Sequence, residues 1–125
     1  MKKRFSTSWN SSKQPRKQRK YLANAPLHIK GRMMRCRLSE ELSKKHGRRN
    51  IQVRTGDKVL VMKGQFRKKT GKVESVDRKH SKVYITGIET VKKDGSKTLY
   101  PIYHSNIMIT ELNTEDKRRI ERATK

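Results

Sequence analysis

A chain of 125 residues with a formal net charge of +23, a pI near 10.7 and only 30% hydrophobic residues has material for one compact domain with attached segments, and excludes a core running its whole length. Self-repulsion on that scale opposes compaction, so the native state calls for a polyanionic partner. Cys36 is alone and His28, His46, His80 and His104 are scattered, which excludes an intrachain disulfide and provides neither a cysteine nor a paired-histidine metal site; no metal or cofactor is expected.

The charge is unevenly placed. No Asp or Glu precedes Glu40, while Lys2, Lys3, Arg4, Lys13, Arg16, Lys17, Arg19, Lys20, Lys30, Arg32, Arg35 and Arg37 are basic. A one-signed arm on a mixed-charge body is the form of a polyanion-binding tail on a folded module. Basic tails also bind anionic membranes, but that needs an amphipathic face, and up to Tyr21 only Phe5, Trp9 and Tyr21 itself are large and apolar. Nucleic acid is the favoured partner, without membrane or homo-oligomer. No apolar run approaches the roughly 20 residues of a spanning helix, and no hydrophobic segment follows Met1–Arg4 as in a secretory signal. A cytosolic, reduced protein is expected.

Residues 1–22 read as an extended, disordered basic arm in which Pro15 interrupts any helix. Residues 23–52 read as a basic extension with short helices. Pro26 suits a first helical turn, and Leu27, Ile29, Met33 and Met34 recur at roughly helical spacing, so a helix over 26–35 is expected. Ser39 is an N-cap for a second helix over 40–46, with Glu40 and Glu41 in its first turn, Lys44 and Lys45 in its last, and Gly47 as the stop. Arg48 and Arg49 close the extension.

From Val53 the period changes. Val59–Met62, Val73–Val76, Val83–Ile85, Leu99–Ile102 and Ile107–Ile109 are β-type runs separated by turn signals. Asp94-Gly95 marks a hairpin, and Pro101 makes the fourth strand an edge or ends it. Five short strands without a long helix predict a small β-barrel over 53–112. Its inward candidates are Val59, Val61, Val73, Val83, Ile85, Ile88, Ile107 and Ile109. Residues 113–125 follow as a polar C-terminal helix (Glu115 to Arg122) and tail, with basic Lys117, Arg118 and Arg119 after the acids.

The stretch from Gly56-Asp57-Lys58-Val59 through Lys63-Gly64-Gln65-Phe66-Arg67-Lys68-Lys69-Thr70-Gly71-Lys72-Val73 is a strand, a glycine-bounded loop with three adjacent cations, and a strand. Fixed loop ends would hold Arg67, Lys68, Lys69 and Lys72 as one phosphate-binding cluster, in which Arg can also stack on an unpaired base. Phe66 is read first as a cap on the open end of the core. Asp57 and Glu74 have no nucleophile or metal site nearby; Asp57 is expected to bond backbone N–H groups of its turn, and no enzymatic activity is expected.

This stretch resembles a KOW motif, the RNA- and protein-binding signature of certain ribosomal proteins and transcription elongation factors. Val83-Tyr84-Ile85-Thr86-Gly87-Ile88-Glu89, Ser12 to Lys20, Asn24-Ala25-Pro26-Leu27-His28, Leu38-Ser39-Glu40-Glu41-Leu42 and His104-Ser105-Asn106-Ile107 resemble the universal KOW-containing protein of the large ribosomal subunit, in its archaeal and eukaryotic branch. The resemblance implies a mainly β fold with an SH3-like barrel, binding to large-subunit rRNA during assembly, ribosomal-protein neighbours, and a place near the nascent-chain exit. Lys68 stands where that family has Gly, so the loop is expected to be stiffer or differently turned; residues 1–11 match nothing in it, and Trp9 has no assigned role.

The candidate RNA-contacting residues are Lys13, Arg16, Lys17, Arg19, Lys20, His28, Lys30, Arg32, Arg35, Arg37, Arg48, Arg49, Arg67, Lys68, Lys69 and Lys72. Two alternatives stand beside an rRNA-binding constituent of the ribosome. One is a KOW-type elongation module on RNA polymerase. The other is a protein-interaction barrel with a groove built from Phe66, Tyr84, Tyr100 and Tyr103.

Overall fold

The computed structural model describes residues 5–8 and 12–120. Pro15 opens helix α1 (Pro15–Asn24) at a position where a missing N–H breaks no intrahelical bond. This corrects the reading of Pro15 as a helix breaker, and α1 runs across the expected limit of the arm at residue 22. None of its side chains is buried; the ring of Tyr21 lies 4.9 Å from that of Phe5. Pro26 then acts as N-cap of α2 (Leu27–Met33), which is shorter than expected because the chain turns extended at Arg35. Its apolar stripe is only partly inward: Leu27 is exposed, whereas Met34 just beyond the helix is buried.

The extension also holds two strands where none was expected, β1 (Arg35–Leu38) and β2 (Asn50–Gln52). In β1 the two arginines face outward while Cys36 and Leu38 are buried, an alternation of period two. Between them α3 (Glu40–His46) has the expected limits. The Ser39 hydroxyl accepts from the Leu42 N–H at 3.5 Å, and Gly47 ends the helix at φ +66°.

The remaining strands are β3 (Lys58–Val61), β4 (Thr70–Asp77), β5 (Lys82–Ile85), β6 (Glu89–Val91), β7 (Lys97–Leu99), β8 (Ile102–Tyr103) and β9 (Ile107–Glu111). Seven of the nine form one sheet in the order β2-β1-β9-β3-β4-β5-β8, with β1 parallel to β9; β6 and β7 form a separate hairpin around Asp94-Gly95. The fold is mainly β, as expected, but the pairing does not close a five-stranded barrel: β2 and β8 are open edges. The expected fourth strand splits at Pro101, which has no N–H for the ladder. Its first part pairs with β6 and its second with β5.

The long strand β4 shifts register between Val73 and Ser75, a bulge of the kind that bends a strand. At its start Gly71 has an ordinary φ, so it is not the turn glycine the sequence suggested. A Cβ there would lie 2.5 Å from the Thr86 carbonyl oxygen and 2.6 Å from Ile85 Cγ2, so glycine is required for β4 to approach the next strand. Every expected inward residue is buried, and the core they form also takes in Met34, Cys36, Leu38, Ile51, Val53, Phe66 and Ile102. Burial pushes the Cys36 thiol up to about 12, and it donates to the His104 carbonyl at 3.2 Å.

Asp57 is fully buried beneath this sheet and Arg119 is 4% exposed. The Asp57 carboxylate accepts from the Arg54 N–H at 2.9 Å, from the Asn113 N–H at 2.8 Å and from both terminal nitrogens of Arg119 at 2.6 Å. Arg119 also donates to the Gln52 carbonyl at 2.9 Å. The expected polar C-terminal helix is thus corrected at Arg119, which is an internal residue. Residues 118–120 are helical, 115–117 are not, and residues 121 and 122 of the expected helix lie outside the described residues.

The expected boundary at residue 53 falls between two strands of one sheet. A fragment of residues 53–112 lacks four core residues from the extension (Met34, Cys36, Leu38 and Ile51) and leaves Asp57 without Arg119. It should show no cooperative melt, while residues 34–120 should. In the full chain, Arg119→Met should cost about 3–5 kcal/mol in urea unfolding, the usual penalty for stranding a buried charge. Pairing it with Asp57→Asn should recover part of that loss. A cooperative transition from the 53–112 fragment would overturn this account.

Candidate RNA interface

The structure places the cations on different kinds of support. Lys13 precedes α1, and Arg16, Lys17, Arg19 and Lys20 project from it, all exposed. Arg16 lies three and four residues from Arg19 and Lys20, so these three share one helical face. No acidic residue occurs in α1 to offset them. On α2, His28 and Arg32 are exposed and Lys30 is half-buried. Arg35 and Arg37 occupy the outer face of β1, held there by the burial of Cys36 and Leu38.

Two groups come together across elements. Arg37 and exposed Arg49 line one cleft with Lys44, which sequence reasoning did not single out; Glu40, Ser43 and Asn50 complete its wall. Arg48, by contrast, is half-buried, and its Nε is buried with no hydrogen-bond partner among the described residues. On the outer face of the β3–β4 pair, Lys72 stands directly opposite Lys58. Like charges in that position repel, so an anion between them would be stabilising. The only carboxylate paired with Lys58 among the described residues is Glu111, at 3.5 Å and largely solvent-exposed, a contact worth little.

The loop between β3 and β4 is closed by backbone bonds: Val61 N–H to the Lys69 carbonyl at 2.9 Å and Lys68 N–H to the Val61 carbonyl at 2.8 Å. Gly64 turns at φ +97°. Phe66 is buried as the expected cap, with its ring 5.0 Å from Tyr100. Arg67, Lys68 and Lys69 are exposed, although Lys69 Nζ leans to 5.0 Å above the Phe66 ring. Lys68 sits at φ +71°, the left-handed region that favours glycine. The loop therefore keeps a glycine conformation while carrying a cation.

Among the described residues, none of the sequence-selected cations shares an ion pair with a carboxylate. The cations that do are Arg54 with Asp116, Lys58 with Glu111 and Arg119 with Asp57, while His80 lies 2.7 Å from Asp77. That last contact holds the Asp77 carboxyl below its usual range, chiefly through the His80 side-chain hydrogen bond. The sequence did not single out Lys44 or Lys58, because nothing in a linear pattern shows Lys44 beside Arg37 and Arg49 or Lys58 opposite Lys72. No group of three or more metal-ligating side chains is found among the described residues, and no helix among them is long and apolar enough to cross a membrane.

Exposed, unpaired cations held by a mainly β scaffold and a basic helix are the form of a protein that binds a polyanion by charge and shape. The chain belongs to the ribosomal protein family called L26 in eukaryotes and L24 in archaea, whose model matches residues 12–124. It is 47% identical over 108 residues to the large ribosomal subunit protein uL24 of Methanosarcina barkeri (strain Fusaro / DSM 804), an alignment covering 86% of this chain and 93% of that protein. The resemblance drawn from the KOW-like stretch and the arm is thereby borne out.

The strain at Lys68 gives a direct check on the loop. A side chain in the left-handed region costs about 1–2 kcal/mol, and glycine returns roughly 0.4–1 kcal/mol through the unfolded chain. Lys68→Gly should therefore raise unfolding stability by about 0.5 kcal/mol in a denaturant titration. A loss of stability would mean that the Lys68 side chain makes a folded-state contact.

Proposed function

We propose that the chain is a structural constituent of the large ribosomal subunit, in the cytoplasmic ribosome, that binds large-subunit rRNA and stabilises its fold during assembly. The carrying observation is the set of exposed cations without carboxylate partners on α1, on the outer face of β1 and in the β3–β4 loop, in a chain that belongs to a ribosomal protein family. Charge neutralisation positions the protein on folded RNA without reading a long sequence. Neighbouring large-subunit proteins and a site near the nascent-chain exit follow from the family resemblance and belong to the same proposal. So does an SH3-like, KOW-type reading of the strands β9-β3-β4-β5-β8, supported by the glycine-containing basic loop between β3 and β4.

The roles divide by support. Lys13 and the α1 cations Arg16, Lys17, Arg19 and Lys20 bury no side chain in the core and act as an arm that follows the phosphate backbone. Arg67, Lys68 and Lys69 in the backbone-closed β3–β4 loop, with Lys72 on β4, fix the register of the body on the RNA. Nothing in this mechanism calls for a bond to be made or broken.

Changing Arg67, Lys68 and Lys69 together to Ala should weaken binding to a large-subunit rRNA fragment while leaving the fold intact. Each lost phosphate contact removes roughly 0.7–0.9 from the slope of log affinity against log salt, so the slope should flatten by about two. The Lys69–Phe66 contact is solvent-exposed, worth about 0.5–1 kcal/mol, and relief of left-handed strain at Lys68 does not arise with Ala. A thermal melt should therefore shift only modestly. Unchanged affinity and slope would place this loop against solvent or protein.

A further inference from the structure

A second feature of the surface is not explained by charge alone. Between the β3–β4 loop and the β7–β8 connection lies a notch of about 260 Å³ whose walls include Lys63, Phe66, Lys82, Tyr100, Tyr103 and Asn106. Tyr100 and Tyr103 are 37% and 42% exposed and flank Pro101. Lys82 is the cross-strand partner of Tyr103, with its Nζ 5.5 Å from the ring centroid. No carboxylate among the described residues lines the notch.

We infer that this notch receives one unpaired nucleotide of RNA, its base against the exposed tyrosine rings and its phosphate near Lys63 and Lys82. The inference rests on the RNA-binding reading above and names a site within it.

Single exposed tyrosines are common and need no function. Here the rings converge with two cations and a side-chain amide, which together match the three chemical parts of a nucleotide. Aromatic faces stack any base, ammonium groups take the phosphate, and the Asn106 amide can meet a base edge. Pro101 separates β7 from β8, and the exposed tyrosines that flank it both line the notch beside edge strand β8. The volume lies just below the roughly 300–1,000 Å³ of typical ligand pockets, enough for one ring system but not for an oligonucleotide. A proline-rich peptide also favours aromatic grooves, yet its proline-rich core is neutral and offers no anion to Lys63 or Lys82. The Lys82 ammonium already over Tyr103 favours an anion beside that ring.

The test uses the full chain and two probes: a short single-stranded oligoribonucleotide with a central 2-aminopurine, and its fully paired duplex. Tyr103→Ala should weaken single-strand binding about tenfold, within the range for a lost base–aromatic stack, and should abolish the fluorescence change of the probe. Duplex affinity and the salt slope should not change, and Tyr103→Phe should bind like the unmutated chain. Equal loss on both probes would overturn the inference, since it would report damage to the fold or to phosphate binding. So would unchanged binding of Tyr103→Ala while the Arg67, Lys68 and Lys69 triple variant weakens; the RNA reading would then stand and the notch would belong to a protein neighbour. If the unmutated chain bound neither probe nor rRNA, the RNA reading itself would fall.

Discussion

The Asp57 carboxylate takes four hydrogen bonds from two stretches of chain that are far apart in sequence: one from Arg54 just before β3, and three from Asn113 and Arg119 in the segment after β9. Burying an ion pair costs several kcal/mol per ion, and that penalty is offset only when the remaining donors and acceptors are satisfied. The carboxylate meets that condition in full, and Arg119 extends the network to the Gln52 carbonyl at the end of β2, leaving its buried Nε without a partner among the described residues. The pair therefore joins the edge of the sheet, the start of its central strand and the C-terminal segment. Gly56 belongs to the same constraint. It turns at φ +89°, and a Cβ on it would lie 2.5 Å from Asn113 Nδ2, which donates to the Thr55 carbonyl at 3.1 Å. The Gly-Asp that opens the KOW-like stretch is thus explained by packing and internal charge.

What could be read in the sequence depended on whether the responsible signal was local. Ser39, its following acids and Gly47 define α3 within nine consecutive positions, and α3 has those limits. Burial alternates along β3, β5 and β9, and the expected inward residues Val59, Val61, Val83, Ile85, Ile107 and Ile109 take the buried positions. The strand β1 offered only Arg-Cys-Arg-Leu, four residues whose alternation is too short to separate from a basic linker. Its parallel pairing with β9 spans some seventy positions and leaves no turn signal, and with β1 and β2 added at one edge the sheet remains open where a five-stranded barrel was expected. Pro15 failed for a different reason: proline breaks a helix interior and favours its first turn, and composition alone does not say which position it will hold.

The site divides in the same way. That the candidate cations lack carboxylate partners among the described residues was legible for the arm, because no acid precedes Glu40. Geometry was not. Nothing linear shows Lys58 opposite Lys72, Lys44 beside Arg37 and Arg49, or Lys69 over Phe66. Arg119 is the clearest case. In sequence it is one basic residue among three in a polar tail, and only the buried carboxylate of Asp57 distinguishes it from Arg118 beside it.

These divisions bear on how so charged a chain folds. Every carboxylate of an ion pair seen among the described residues lies between Asp57 and Asp116, in the body of the sheet, so the body neutralises part of its own charge. The helix α1 has no such help. It is 10 residues long, buries no side chain and contains no acid. Isolated helices shorter than about 12–15 residues are marginal in water, and the repulsion among Arg16, Arg19 and Lys20 on one face lowers this one further. Phosphates placed along that face would remove the repulsion and supply the contacts that the core does not. The same holds for Lys58 and Lys72, whose opposition weakens the free sheet until an anion lies between them. The two parts therefore differ in what holds them: the body is organised around the buried Asp57–Arg119 pair, whereas α1 has neither a buried side chain nor an acid to offset its cations.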